Sequence, residues 1–341
     1  MRAVGYYASQ PITAEDALVD LDLPMPKAHG HDLLVEVKAV SVNPVDTKVR
    51  RSQQPEAGQA RILGYDAAGV VTAVGEAVTL FKPGDAVYYA GAINRPGTNS
   101  AFHLVDERIV GAKPQTLSFA EAAALPLTAI TAYEALFHRL NVAIPVPGAL
   151  PAVLVTGGAG GVGSIAIQLI KHLTDLKIIA TASRPETRDW ALALGADHVI
   201  DHSKPLAGEY AALELDAPAF VFSVAGSDDH AADLADIIAP QGRLAIIDDP
   251  SSGFDVMKFK RKAVSVHWEM MFARPVFQTP DMIEQHRLLN HVAVLVDEGK
   301  MRTTLSQIIG PINAENLKKA HALVESGRMK GKVVLEGFEA A

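Results

Sequence analysis

Apolar and polar positions change texture twice along the chain. Residues 33–42, LLVEVKAVSV, partly alternate and are rich in β-branched side chains, which predicts a strand with one face buried. The glycine-punctuated stretch 64–75 and the turn Lys82-Pro83-Gly84-Asp85 ahead of Ala86–Tyr89 predict further short strands and tight turns. The N-terminal third is therefore expected to be mainly β. Ser118, with Glu121 three residues on, makes a capping box for a helix through 122–124, and a second helix is expected over 131–140. A Pro/Gly-rich stretch, 144–151, follows. Apolar strand candidates at 152–156, 177–181, 198–200, 219–224, 243–247 and 263–267 then alternate with helical spacing such as Val162, Ile165, Ala166, Leu169, Ile170 and Leu173. Strands apolar on both faces, alternating with helices, predict a parallel sheet covered on both sides, an α/β fold. A helical pattern from Thr279 to about Asp297, a helix over 314–325 and a strand over 332–335 close the chain.

Composition narrows this picture. At ~150 residues per domain, 341 residues predict about two domains. With 49% hydrophobic and 21% charged residues the chain is expected to fold, and no apolar run approaches the ~18 residues of a membrane span. The absence of cysteine excludes disulfides, thiolate catalysis, iron–sulfur clusters and thiolate-held zinc. Any zinc would need histidine and carboxylate ligands, and the twelve histidines show no H-E-x-x-H spacing. A net charge of -8 argues against nucleic acid as the main partner. The opening residues lack the apolar core of a secretory signal, so a cytoplasmic location is expected.

The candidate chemistry starts at the first of these apolar strands. It runs into Gly157-Gly158-Ala159-Gly160-Gly161-Val162-Gly163, in which Gly158, Gly160 and Gly163 match G-x-G-x-x-G between a strand and a helix, the setting of a dinucleotide pyrophosphate turn in a doubly wound Rossmann sheet. Gly158 would permit the tight turn, Gly160 the approach of backbone N–H groups to the pyrophosphate, and Gly163 close helix–strand packing. The alternative is a glycine-rich turn with no ligand. At the second strand's end, Thr181-Ala182-Ser183-Arg184 with Arg188 nearby offers cations and no carboxylate, which favours NADP(H) over NAD(H). Arg184 and Arg188 would otherwise be solvated residues at a helix start.

Further segments, in order, carry a resemblance: Asn43-Pro44-Val45-Asp46 with Lys48, the run 64–71, Gly84-Asp85-Ala86-Val87, the run 125–133, the glycine turn, and Gly331-Lys332-Val333-Val334-Leu335. Over essentially its whole length the chain resembles the medium-chain dehydrogenase/reductase superfamily, and within it the zinc-independent quinone oxidoreductases, including proteins labelled zinc-type alcohol dehydrogenase-like. The resemblance implies a GroES-like β-rich catalytic domain split between 1–125 and 273–341, a Rossmann domain over 126–272, an active site in the cleft between them, and a homodimer. It aligns the catalytic zinc ligands of the alcohol dehydrogenases with Asn43, Tyr65 and Leu127, none of them a usual zinc ligand, and so implies metal-free reduction of a quinone or α,β-unsaturated carbonyl.

By the same resemblance Asn43 and Tyr65 are the candidate catalytic residues. Asn43 would donate to a carbonyl or to the nicotinamide ribose, or else simply begin the turn at Pro44. The Tyr65 hydroxyl would face the substrate oxygen, or else line the pocket. Asp46 and Lys48 would touch the cofactor or form a solvated pair. Thr131 would contact nicotinamide or be a helix-interior residue, and Lys332 would meet the cofactor or be an exposed strand lysine. Trp268, Met270, Met271 and Phe272 would wall a flat substrate or fill a domain interface. His267 is not expected to donate a proton. Two rival functions stay open, a zinc-dependent alcohol dehydrogenase with atypical ligands and a non-catalytic NADPH-binding protein.

Overall fold

The computed structural model describes residues 1–338. Its contacts divide the chain into a first unit, Met1–Ile130 together with the described residues from Phe272 onward, and a second unit, Thr131–Met271. The first boundary falls inside the helix Pro126–Tyr133 rather than ahead of it. Its first turn is tied to the first unit, since Asp66 accepts the Leu127 N–H and Thr304 donates to the Ala124 carbonyl just before it.

The second unit is built on six parallel strands, Leu150–Val155, Lys177–Thr181, His198–Ile200, Pro218–Ser223, Arg243–Ile246 and Ser265–Trp268. Numbered along the chain, they lie side by side in the order 3-2-1-4-5-6, the doubly wound arrangement whose ligand crevice opens at the carboxyl ends of strands 1 and 4. Ala152, Leu154, Ile179, Val221, Leu244 and Ile246 are buried in its core with helix residues such as Leu206 and Leu234. Two expectations shift. The helix expected at 131 begins at Pro126, where a first-turn proline lacks only an N–H that has no intrahelical partner anyway, and it passes into a π-helical turn over Glu134–Arg139. The last strand starts at Ser265 because a 3₁₀ segment, Val256–Lys262, occupies the approach and ends on Ala263 at φ 52°.

In the first unit the long strand Asp32–Val42 pairs with Ala67–Val74, Phe102–Asp106 and the closing strand Lys332–Glu336. The register sets Val42 opposite Val333 and Val40 opposite Ala67. Residues 43, 66 and 332 are thereby brought to one end of the same sheet from distant parts of the chain.

Candidate functional site

In the second unit the glycine turn follows strand 1 directly. Gly157, not Gly158, holds the left-handed conformation, at φ +60°. A Cβ on Gly158 would lie 2.8 Å from the Ala180 Cβ, so this glycine lets strand 2 pass. A Cβ on Gly163 would lie 2.3 Å from the Gly157 carbonyl oxygen, which fixes close packing of the helix Gly161–Leu173 on the turn. Gly160, at the helix N-cap, has no contact closer than 3.4 Å at its would-be Cβ and offers no side chain to cap the helix. Ala159, Gly161 and Val162 complete the turn, and the N-terminal N–H groups of the helix are the donors a pyrophosphate would take. The residues present therefore fit a dinucleotide.

Beyond strand 2 the backbone passes through Ala182 and Ser183 to Arg184, the N-cap of the helix Pro185–Ala193, with Arg188 half-buried one turn in. Glu186 lies in that first turn and pairs with Arg184 Nε at 3.2 Å. The Gly157 N–H donates to Thr181 Oγ1 at 3.0 Å, and the same oxygen lies 3.0 Å from His202 Nδ1. His202 was passed over in the sequence. The signal for it was its place two residues past strand 3, whose register sets Ile200 beside Thr181.

In the first unit, Asn43, Asp46, Asp66 and Lys332 form one buried polar cluster. Lys332 Nζ donates to the Val42 carbonyl at 3.1 Å, to Asp66 Oδ2 at 3.1 Å and to Asn43 Oδ1. Asn43 Nδ2 donates to Asp66 Oδ2 at 2.7 Å, and Asp66 Oδ1 accepts the Leu127 N–H at 2.7 Å. Asp46 accepts the N–H of Asn43 at 2.8 Å and of Gly64 at 2.9 Å; Gly64 sits at φ +113°, where a Cβ would strike Thr98. Burial pushes both carboxyls up, Asp46 to about 7, against the lowering effect of the N–H groups and of Lys332.

This geometry bears on three expectations. Lys332 is not an exposed strand lysine; it is buried, and its ammonium donates to Val42, Asn43 and Asp66. Asp46 is no solvated partner of Lys48; its two oxygens hold two backbone N–H groups, while Lys48 is half-buried on the helix Pro44–Ser52. The Tyr65 hydroxyl is enclosed, with the Arg61 guanidinium as its polar neighbour. Burial and the nearby Asp46 carboxyl push its pKa up to about 12 against the Arg61 guanidinium, so the phenol is neutral at neutral pH. Asp66, absent from the sequence-level candidates, is the hub. Its only mark in the sequence is a carboxylate entering an apolar strand.

The aromatic segment separates. Phe272 packs edge-on against Tyr65, 5.3 Å between centroids, and is buried with Met271, whereas Trp268 and Met270 are exposed. Thr131 is buried in its helix. Burial, with Arg139 and Arg243, holds the His267 imidazole below its usual pKa, so it is a poor proton donor. Glu134 and Glu269 form a buried acid pair beside Arg139, whose Nε donates to Glu269 at 2.8 Å; burial and Glu134 raise Glu269 to about 8. No cluster of three or more His, Asp or Glu side chains able to hold a metal occurs among the described residues.

Comparison with known proteins gives the class. Residues 29–132 match the family Alcohol dehydrogenase GroES-like domain, and residues 194–335 match Zinc-binding dehydrogenase. A zinc-type alcohol dehydrogenase-like protein of Staphylococcus aureus strain MSSA476 is 40% identical over 91% of this chain and 92% of its own length. The NADPH-dependent alkenal/one oxidoreductase of Arabidopsis thaliana chloroplasts is 36% identical over 54% of this chain and 49% of its own. Among solved structures, a protein of Rhizobium etli CFN 42, provisionally described as a zinc-dependent alcohol dehydrogenase, is 67% identical with a TM-score of 0.98, covering 100% of this chain and 99% of that one. The quinone oxidoreductase of Coxiella burnetii is 27% identical with a TM-score of 0.79, covering 98% and 99%. The chain belongs to the medium-chain dehydrogenase/reductase superfamily, in the quinone oxidoreductase-like subset that includes the zinc-type alcohol dehydrogenase-like proteins, and is an oxidoreductase of that type.

Proposed function

We propose that the protein is an NADPH-dependent, zinc-independent reductase of quinones or α,β-unsaturated carbonyls. The observation that carries this reading is the glycine turn beside a second strand that ends in Ser183 and Arg184, where an NAD-preferring site would place a carboxylate on the ribose. When bound, NADPH supplies a hydride. The turn's N–H groups hold the pyrophosphate, and Arg184, Arg188 and the Ser183 hydroxyl hold the 2′-phosphate.

In the first unit Asn43 works as a fixed donor. Its oxygen is pinned on Lys332 and one Nδ2 hydrogen on Asp66, and the second hydrogen has no acceptor among the described residues. That hydrogen suits a carbonyl oxygen that gains negative charge. Zinc independence is supported by the side chains at the three positions the resemblance aligns with zinc ligands: a committed amide, an enclosed phenol and a leucine. Quinone and enone substrates are supported by the likeness to the Coxiella and Arabidopsis proteins. A homodimer along the exposed edge strand Ser265–Trp268 belongs to the same proposal.

The test is NADPH and NADH oxidation measured in parallel with benzoquinones, 2-enals and simple aldehydes, before and after chelation. NADPH-selective turnover of quinones or enones that survives chelation is expected. Stoichiometric zinc that activity requires, or tight NADPH binding with no turnover on the whole panel, would overturn the reading.

A further inference from the structure

The chain passes between the two units twice, at Ile130–Thr131 and at Met271–Phe272. Just inside the second unit each crossing carries a buried glutamate, Glu134 after the first and Glu269 before the second. The Glu269 backbone is fixed to the sheet, because its N–H donates to the Ile246 carbonyl at 3.0 Å. Its carboxyl is fully enclosed, accepts the Arg139 Nε–H at 2.8 Å and shares a hydrogen bond with the Glu134 side chain. Glu134 and Arg139 open and close one π-helical turn. Around an α-helix of ~3.6 residues per turn, side chains at that spacing would diverge by about 140°. The π-helical turn removes the divergence: the Leu140 N–H donates to the Ala135 carbonyl at 2.8 Å, one residue further back than in an α-helix, and both side chains come to Glu269. Arg243, on strand 5, anchors the far end of the turn on the carbonyls of Leu140, Asn141 and Ile144, at 2.7, 2.8 and 3.0 Å. His267, on the strand that leads to Glu269, adds no counter-charge, since burial, Arg139 and Arg243 hold its ring below the ordinary pKa.

We propose that Glu134, Arg139 and Glu269 form a latch that ties the two crossing segments to each other through the π-helical turn, and that the latch opens when the two carboxyls lose the proton they share. The inference stands apart from the coenzyme and substrate proposed above. A hydrogen bond between two carboxyl groups needs one proton, and with it the two glutamates and Arg139 sum to zero charge. When that proton passes to solvent, two carboxylates face one guanidinium, and a negative charge is left over in a buried place. Turning Glu134 away from Glu269 relieves the repulsion, and the turn does this by returning to α-helical spacing. The bistable element is therefore the turn itself, and the charge change that biases it lies on the pair. Burial and then Glu134 raise the Glu269 carboxyl to about 8, against Arg139. Since that carboxyl is raised above its unfolded value, the latch is firmest in acid, weakens through neutral pH and levels off once pH has passed about 8.

The experiment is amide hydrogen exchange on the full chain at pH 5.5, 6.5, 7.5, 8.5 and 9.5, read by mass spectrometry and corrected for intrinsic rates. In the unmodified protein, protection over 135–142 and over 269–271 should fall together by up to about tenfold per pH unit, the effect of one linked proton, and level off above pH 8. Protection over the first strand, 150–155, should stay flat. Glu269→Gln and Glu134→Gln each keep a hydrogen bond across the pair without a titrating proton, so in either variant protection of both segments should no longer depend on pH. Arg139→Gln removes the cation that favours the ionised pair, so the levelling should move to higher pH. The proposal is overturned by protection that is constant with pH in the unmodified protein, or by the same pH slope persisting in both glutamate variants. It is overturned equally if 135–142 loses protection while 269–271 does not, because the two segments are then not tied to each other.

Discussion

Tyr65 and Lys332 show how burial decides what a polar side chain does. The Tyr65 hydroxyl is enclosed with the Arg61 guanidinium as its polar neighbour, so Tyr65→Phe trades that contact against a smaller desolvation cost, and stability in urea unfolding should change by no more than about 1 kcal/mol. Lys332 is the reverse case. Its ammonium compensates Asp66 and orients Asn43, and Lys332→Met leaves a carboxyl buried without its counter-charge, a loss of about 3–5 kcal/mol. Adding Asp66→Asn to that variant should recover part of the loss, and a double-mutant cycle in urea measures the coupling. The motif residues around 43–48 were visible in the sequence, but their orientation was not. Nothing in N-P-V-D states that Asp46 turns back onto backbone N–H groups, or that the third partner of Asn43 comes from residue 332. Those facts follow from strand register, which one sequence does not contain.

Among the elements, the strand–turn–helix of the second unit was the most legible, because apolar runs and glycine spacing are local signals. The turn's chemistry was less so, since the positive φ belongs to Gly157, one residue before the motif's first glycine. A contrast between two glycines tests the arrangement. Gly160→Ala adds a methyl where nothing lies closer than 3.4 Å and φ is -71°, so the melting temperature should hold while coenzyme affinity falls. Gly163→Ala drives a methyl into the Gly157 carbonyl and should lower both. The π-helical turn Glu134–Arg139 had no sequence signal, and it places Glu134 with Glu269. Because the Glu269 carboxyl is raised above its unfolded value, its contribution to stability is present at low pH and is lost as pH rises towards about 8. Glu269→Gln keeps an acceptor for Arg139 and cannot ionise. It should match the parent in melting temperature near pH 5 and exceed it by about 2 °C or more at pH 8.5.

For the whole molecule, the number of units was legible from length, and the interruption of one by the other came from the resemblance rather than from any pattern in the residues. The order of contacts along the chain makes this concrete. The second unit is one continuous stretch, Thr131–Met271, whereas the first joins Met1–Ile130 to residues from Phe272 onward. Truncation before Lys332 removes both the closing strand paired with Asp32–Val42 and the ammonium on Asp66. In limited proteolysis of such a truncated chain, cleavage should concentrate in residues 1–130 while 131–271 stays protected. Equal protection of both stretches would contradict the expectation.

The closing strand has a further consequence on the ribosome. Synthesis runs from the N-terminal side, so Asn43 and Asp66 emerge long before Lys332 and wait without it while the residues between are made. The middle of the chain is complete long before the ends can meet. Whatever guards the nascent N-terminal third from aggregation must therefore act until Lys332, 266 residues after Asp66, is free to pair with it.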